Sequence, residues 1–177
     1  MRLNEMIEKE FYPEMQTKYH MPKLGLPRLG KVVINVGIGK ISDHKDLISN
    51  IEKDLAAITG QKPKTSKAKK SIAGFKVRAG QTVGFVVTLR GRRMWDFTER
   101  LTKITFPRIR DFDGISRKSF DKNFNFTIGF TEQIMFPEVK IDDVRESWGM
   151  SITYSLKNTK NKKATEEYLK ACGFIFK

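Results

Sequence analysis

The chain has 177 residues, with 34 Lys and Arg against 20 Asp and Glu, a formal charge of +14, and 39% hydrophobic residues. This much apolar material predicts a folded protein and excludes a disordered basic tail. One Cys and two His exclude a disulfide framework and a His/Cys zinc site, and the apolar runs are too short to cross a membrane. The acidic N-terminal sequence MRLNEMIEKEFYPEM is unlike a signal or transit peptide. We therefore expect a single domain spanning residues 1–177, in a reducing compartment, with no metal or cofactor.

Hydrophobic periodicity predicts two helices and a strand in the first third of the chain. Apolar residues at helical spacing indicate a helix over residues 3–19. Residues 31–39 alternate between large aliphatic side chains and Val, Asn or Gly, which predicts a strand with one buried face and one small, polar face. A second helix is expected to begin at Asp43 and to stop at Gly60.

The remaining elements lack the regular strand–helix–strand order of a doubly wound sheet. Strands are predicted over 65–70 and 84–90, with a basic loop between them, and a helix over 92–109 is expected to end at Pro107. A Phe-rich loop (119–130), strands over 133–136 and 151–156, and a helix over 165–174 follow. This order predicts an α+β fold, with an open, mostly antiparallel sheet, helices packed on one face, and long basic loops.

Periodicity also assigns side chains to the core. Alternation over residues 83–90 predicts that one face of this strand points to the core. That face carries Val83, Phe85, Val87 and Leu89. In the helix that follows, the repeating positions include Trp95, Leu101, Thr102, Ile104 and Thr105.

The positive charge is concentrated in one part of the chain. Residues 55–95 contain no Asp or Glu. A block of like charge repels itself, so its presence in a folded protein indicates a polyanionic partner. A basic surface that serves only solubility is the alternative. The cations of this block are Lys62, Lys64, Lys67, Lys69, Lys70, Lys76, Arg78, Arg90, Arg92 and Arg93.

No motif indicates catalysis. The sequence VVINVGIGKIS contains the Gly-x-Gly of a dinucleotide site, but Ser42 occupies the third glycine position and the next acids fall inside the predicted helix. His20 and His44 are expected in a loop and at a helix start, and Cys172 in the core. We therefore expect no enzymatic activity.

The polar face of the predicted sheet carries groups suited to RNA. Asn35, Ser66, Thr88 and Arg90 lie opposite the core positions, and such groups hydrogen-bond phosphates, 2′-hydroxyls and base edges. A sheet face covered only by water is the alternative. Phe75, within the basic loop, is the best candidate for an exposed aromatic side chain.

Several stretches of the sequence resemble a known family. They read GQKPKTSKAKKSIAGFKVRAGQTVGFVVTLRGRRMWDF, FPRIRDFDGISRKSFD and EQIMFPEV, with INVGIG and ITGQKP upstream. Together they closely resemble the bacterial-type ribosomal "L five" family, the large-subunit proteins that bind 5S ribosomal RNA. The resemblance implies an α+β domain whose open sheet face and neighbouring loops bind 5S rRNA.

The resemblance also implies roles for the residues at matching positions. Those implied to bind 5S rRNA are Asn35, Gly37, Gly39, Gln61, Ser66, Lys67, Thr88 and Arg90. Those implied to contact the P-site tRNA, in a loop over residues 72–80, are Ile72, Gly74, Phe75, Lys76, Arg78 and Gly80. Those implied to form a bridge to a small-subunit head protein are Arg108, Arg110 and Phe112. Further implied partners are 23S-type rRNA and neighbouring large-subunit proteins.

The sequence departs from the family pattern at positions outside the implied 5S-binding residues. Asp113 stands where a basic residue is usual, which alters the charge of the implied bridge. The sequence KNFNF replaces a Gly-rich turn, and Trp148 stands where Arg is common.

The sequence thus predicts a non-enzymatic protein of the large ribosomal subunit that anchors 5S rRNA in the central protuberance. A cytoplasmic, ribosome-bound protein of a bacterium is expected, with an organelle-encoded copy as the alternative. Two other classes stay open at this point. A general nucleic-acid architectural protein would bind any folded RNA of equal length, and a dinucleotide-binding enzyme would show a saturable thermal shift with a nicotinamide cofactor.

Overall fold

The computed structural model describes residues 2–39, 45–75, 77–110, 112–139 and 147–177. Five strands form an open antiparallel sheet in the order β2-β3-β1-β5-β4: β1 (Arg28–Gly37), β2 (Lys64–Lys67), β3 (Thr82–Leu89), β4 (Phe126–Phe130) and β5 (Met150–Lys157). The helices are α1 (Leu3–Met6), α2 (Tyr12–Tyr19), α3 (Lys45–Thr59), α4 (Gly91–Arg100), α5 (Phe106–Arg108) and α6 (Lys162–Ala171), with π-helical segments at Ile7–Phe11 and Leu101–Thr105. The predicted α+β class is confirmed, as is the helical run over 3–19.

Residue contacts divide the chain into two compact units. Unit 1 comprises Met1–Val32, Leu89–Ile128 and Thr153–Lys177. Unit 2 comprises Val33–Thr88 and Gly129–Ile152. Each unit has its own buried side chains, and the single domain predicted over residues 1–177 stays a prediction.

Aliphatic side chains form the core of unit 2. The alternation predicted for β1 is confirmed, because Ile34, Val36 and Ile38 are buried while Asn35 is half-buried and Gly37 is exposed. Each fully buried aliphatic side chain contributes roughly 1.5–3 kcal/mol, so the buried face fixes which face of β1 stays available. Helix α3 adds Ile51, Leu55 and Ile58 to this core. Asp43 and His44 lie outside the described residues.

Aromatic side chains dominate the core of unit 1. The rings of Tyr12 and Tyr168 stack with their centroids 6.2 Å apart. The Tyr168 hydroxyl oxygen accepts a hydrogen bond from the backbone N–H of Leu29 at 2.9 Å. As predicted, Cys172 is fully buried in this core, and burial raises the pKa of its thiol to about 12.

The strand predicted over 133–136 is wrong. These residues form turns, in which the N–H of Phe136 donates to the carbonyl oxygen of Gln133 at 3.1 Å. The strand lies earlier, at β4, inside the segment predicted to be a Phe-rich loop. There Phe and Ile occupy the buried positions and Thr and Gly the exposed ones, so the period-2 pattern is present but short.

Strand β2 ends at Lys67, three residues before the predicted end at residue 70. The pairing register with β3 shifts after Ser66, so that Lys67 lies opposite Thr82 and Val83 has no opposite residue in β2. Such a shift disrupts the ladder and re-aims nearby side chains. As a result Val83, which was predicted in the core, is only half-buried.

The helix after β3 differs from the prediction in its end and in its buried stripe. Pro107 lies in the first turn of α5, where its missing N–H costs little, and the helix continues through Arg108. The wider π-helical turn over Leu101–Thr105 shifts the stripe, so Ile104 is 43% exposed. The buried residues are Met94, Phe97, Thr98, Leu101 and Thr105, whereas Trp95 and Thr102 are half-buried.

Candidate nucleic-acid interface

Polar side chains of β2 and β3 share one face of this strand pair. Ser66 lies directly opposite Gly84, and opposite residues of an antiparallel pair point to the same side. Thr88 is on that side too, because residues two and four apart along a strand share a face. Ser66 and Thr88 are both half-buried, so their hydroxyl groups lie at the boundary between protein and solvent.

Gly84 sets the distance between β3 and β1. A Cβ atom at this position would lie 2.5 Å from the carbonyl oxygen of Val36, which is closer than real Cβ contacts. Beside it, the N–H of Ile38 donates to the carbonyl oxygen of Val83 at 3.1 Å. The close approach holds the strand that carries Asn35 and Gly37 against the strand that carries Thr88.

The end of α3 places Gln61 next to β3. Gly60 has φ +66° and donates its N–H to the carbonyl oxygen of Ala56 at 2.8 Å, which ends the helix as predicted. The Thr59 hydroxyl accepts a hydrogen bond from the N–H of Gln61 at 3.3 Å. The Gln61 side chain then donates to the carbonyl oxygen of Thr88 at 3.4 Å. Gln61 and Thr88, which are distant in the sequence and were both predicted to bind 5S rRNA, are therefore in contact.

Residues 64–89, called the basic hairpin here, comprise β2, β3 and the loop between them, and backbone hydrogen bonds join described residues on the two sides of this loop. Ala68 donates its N–H to Gln81 at 2.9 Å, and Ile72 and Val77 exchange both backbone hydrogen bonds, at 2.9 and 3.3 Å. The N–H of Ala79 donates to the Ser71 hydroxyl at 2.9 Å. These bonds occupy backbone groups, and the side chains of the described lysines of the hairpin are exposed to solvent.

Within the described residues, several lysines of the acid-free block have no carboxylate within ion-pair distance. At its two ends, Lys62 lies 4.0 Å from Glu52 and Arg92 lies 3.6 Å from Asp96, both pairs being well exposed. Among the carboxylates of the described residues, none is within ion-pair distance of Lys67, Lys69 or Lys70. A polyanion would therefore meet these ammonium groups without displacing an internal partner.

The structure brings together most, but not all, of the residues predicted to bind 5S rRNA. Unit 2 contains all of them except Arg90, which is exposed in unit 1 immediately before α4. In the 72–80 loop, Ile72, Gly74, Arg78 and Gly80 are exposed, whereas Lys76 and the Phe75 side chain lie outside the described part of the chain. The site residues that belong to unit 2 are Asn35, Gly37, Gly39, Gln61, Ser66, Lys67 and Thr88.

The residues predicted to form an intersubunit bridge lie in unit 1, at the last residue of α5 and just after it. Arg108 and Arg110 are exposed. The Phe112 ring is half-buried and stacks on Phe106 at a centroid distance of 4.6 Å, so it also packs against its own unit. Asp113, the departure from the family pattern, accepts from the Lys177 ammonium at 3.0 Å, and this pairing offsets its negative charge.

The exposed lysines Lys64, Lys69 and Lys70 were not assigned to the site from the sequence, although all three lie on the basic hairpin. The charge pattern does include them among the cations that indicate a polyanionic partner, but the resemblance implied a 5S-binding role for Lys67 alone of these lysines. Within the described ranges, no helix has the length and apolar character needed to cross a bilayer, and no group of three acidic, His or Cys side chains could hold a metal ion.

Comparison with known proteins identifies the family of the chain. The family model described as "Ribosomal protein L5" matches residues 24–78, and the model for the C-terminus of the same ribosomal family matches residues 82–176. The protein named "Large ribosomal subunit protein uL5" from Desulforamulus reducens is 44% identical over 176 residues, which cover 99% of this chain and 97% of that one. The proteins of the same name from Kocuria rhizophila and Halothermothrix orenii are 43% and 42% identical, and each alignment covers at least 97% of both chains. The chain therefore belongs to the ribosomal protein L5 family, whose members are structural, non-enzymatic components of the ribosome.

Proposed function

We propose that the chain binds 5S rRNA through the polar strand face and basic hairpin of unit 2, and anchors that RNA in the central protuberance of the large ribosomal subunit. It would act as a cytoplasmic, ribosome-bound protein, with 23S-type rRNA and neighbouring large-subunit proteins as its other contacts. The main support for this proposal is the hydrogen bond from the Gln61 side chain to the carbonyl oxygen of Thr88. Thr88 lies on β3, and the paired strand β2 presents Ser66 on the same face. The basic hairpin thus places neutral hydrogen-bonding groups near ammonium groups that have no carboxylate partner among the described residues.

The two kinds of group have different tasks. The lysines neutralise phosphates, which contributes affinity for any RNA and makes that affinity depend on salt. The short polar groups Asn35, Gln61, Ser66 and Thr88 have fixed positions on strands and a capped turn, so they select an RNA whose backbone and sugars match their spacing. Gly37 adds no side chain to this surface, and no protein atom lies within 4 Å of the place its Cβ would occupy.

Two substitutions separate these tasks. Thr88→Ala is expected to weaken 5S rRNA binding about two- to tenfold, the worth of one net hydrogen bond, with little effect on tRNA binding. Lys67→Ala is expected to weaken binding of both RNAs and to lower the slope of log affinity against log salt by about one unit at most. Two controls remove the same chemical groups at exposed positions elsewhere in unit 2: Thr131→Ala removes a hydroxyl group, and Lys53→Ala removes an ammonium group. If Thr88→Ala weakened the binding of 5S rRNA and tRNA equally, Thr88 would not select between RNAs.

The 72–80 loop is proposed to reach the P-site tRNA. The exposed Arg78, at the turn that returns to β3, supports this assignment. Because Cys172 is buried, Ala79→Cys would provide one reactive thiol for an iron chelate that cleaves nearby RNA. In reconstituted ribosomes we expect cleavage of P-site tRNA from position 79 and none from Ala57→Cys on α3; equal cleavage from both would contradict the proposal.

The end of α5 and the residues just after it are proposed to contact a protein of the small-subunit head. The exposed guanidinium groups of Arg108 and Arg110 support it, since they have room to pair with acidic groups of another protein. Arg110→Glu should weaken subunit association without changing 5S rRNA affinity. Unchanged association would remove this segment from the bridge.

A further inference from the structure

A cavity of about 1060 Å³ opens in unit 2 at the base of the basic hairpin. This volume is at the upper end of the range for small-molecule sites. Of the residues proposed to bind 5S rRNA, Gly37 and Gly39 line it. Its other walls include the side chains of three aliphatic residues, one aromatic residue and two lysines: Ile72, Val77, Val83, Trp148, Lys69 and Lys70.

Hydrogen bonding and close packing hold the aromatic wall in place. The backbone N–H of Trp148 donates to the side-chain oxygen of Gln133 at 2.9 Å, and Gln133 is itself buried. A Cβ atom on Gly149 would lie 2.8 Å from the carbonyl oxygen of Phe130, so the chain after Trp148 runs tightly against β4. The cavity wall is therefore formed before any ligand binds.

The shifted register of β3 supplies another part of the wall. Because Val83 has no opposite residue in β2, its side chain is half-buried and lines the cavity. Ile72, which is 50% exposed, adds a further aliphatic side chain to the lining. The hairpin thus leaves an apolar recess directly beside its row of lysines.

We propose that this cavity receives an unstacked base of the bound RNA, while Lys69 and Lys70 contact the phosphates next to it. A base offers flat apolar faces and is always attached to phosphate, which matches apolar walls with cations beside them. Proteins that recognise RNA commonly take splayed-out bases against apolar and aromatic side chains. The charge of the wall favours an anionic ligand such as RNA, because two lysines and no carboxylate of the described residues line the cavity. This proposal rests on the proposed function, since it adds a base-binding subsite to the RNA surface of unit 2.

Added bulk on one wall of the cavity tests the proposal without removing a charge. Ala68 lines the cavity and uses only its backbone N–H and C=O in hydrogen bonds, so Ala68→Leu adds bulk there and keeps the hairpin ladder. Ala57→Leu makes the same change on the exposed side of α3 and is the matched control. We expect Ala68→Leu to weaken 5S rRNA binding about five- to a hundredfold, the range for loss of one base contact, with an unchanged salt slope. Ala57→Leu should bind as the unsubstituted protein does.

Tryptophan fluorescence gives a second measurement that leaves the cavity intact. In a Trp95→Phe protein, Trp148 is the only tryptophan, and 5S rRNA should quench its emission, whereas adenosine monophosphate alone at micromolar concentration should not. Native affinity in a folded Ala68→Leu protein, or unquenched Trp148 when RNA is bound, would overturn the base-binding proposal. If adenosine monophosphate alone quenched Trp148, the cavity would be a site for a free nucleotide, and the base-binding proposal would also be overturned. The proposed 5S function fails separately, if the unsubstituted protein does not prefer 5S rRNA.

Discussion

Replacing Gly84 by alanine tests the strand spacing on which the RNA surface depends. The new Cβ would lie 2.5 Å from the carbonyl oxygen of Val36, and contacts below 3.0 Å essentially never occur. The strands must therefore separate by at least about 0.5 Å. The Cβ atom is fixed to the backbone and the carbonyl group is part of it, so neither can rotate away. Overpacking of this kind costs roughly 1–3 kcal/mol. The wider spacing also moves Asn35 relative to Thr88, so 5S rRNA binding should weaken together with stability.

Gly129→Ala is the matched control for this substitution. Gly129 lies inside β4, also in unit 2, and no atom is within 4 Å of its Cβ position. Alanine there should leave stability unchanged or raise it by about 0.4–1 kcal/mol, because it restricts the unfolded chain. Urea unfolding measures both free energies, and equal m-values would show that the unfolded states are comparable. If Gly84→Ala were as stable as Gly129→Ala, the strand spacing described here would be incorrect.

Other predictions concern the core and the unfolding of the chain. Tyr168→Phe leaves the Leu29 N–H without its acceptor and should cost about 1–3 kcal/mol in urea unfolding; a loss below about 0.5 kcal/mol would mean that another acceptor replaces the hydroxyl. The ammonium of Lys103 lowers the pKa of Glu99 below its usual 4.5, so the stabilisation from this pair should be complete above about pH 4.5 and lost as the pH falls through the lower, folded-state pKa. Glu99→Gln should reduce that acid sensitivity in unfolding measured from about pH 6 to about pH 3, and an identical pH profile would contradict the assignment. Cys172 should react with a thiol reagent only as fast as the protein unfolds, since burial raises its pKa to about 12, and rapid reaction of the native protein would contradict its burial. Calorimetry should show one transition for the single domain predicted over 1–177, whereas two separate transitions would assign independent stability to units 1 and 2.

The sequence predicted the fold class and the strong elements because their patterns are long and regular. The alternation in β1 and the apolar stripe of α3 continue over many residues, and Gly60 ends its helix with the positive φ expected of a stop signal. The shorter β4 was mistaken for a loop. Five residues give only three buried positions, and the phenylalanines around them obscure the period.

Other features depend on geometry that no local pattern contains. The register shift that ends β2 at Lys67 and re-aims Val83 depends on pairing with β3, and the π-helical segment that exposes Ile104 depends on tertiary packing. The cavity beside Trp148 needs residues from four separate stretches of the chain to come together. By contrast, the main cationic and polar site residues could be chosen from alternation and charge, because strand period and the absence of acids are visible in the sequence.

Competition for 5S rRNA tests the proposed function most directly. Labelled 5S rRNA would be bound at moderate salt and challenged with unlabelled 5S rRNA or with a tRNA of similar charge density. Shape-selective binding predicts that 5S rRNA competes far better than tRNA, on the order of a thousandfold if protein–DNA discrimination is a guide. Equal competition by both RNAs would mean that charge alone drives binding, and that the chain behaves as a general nucleic-acid architectural protein.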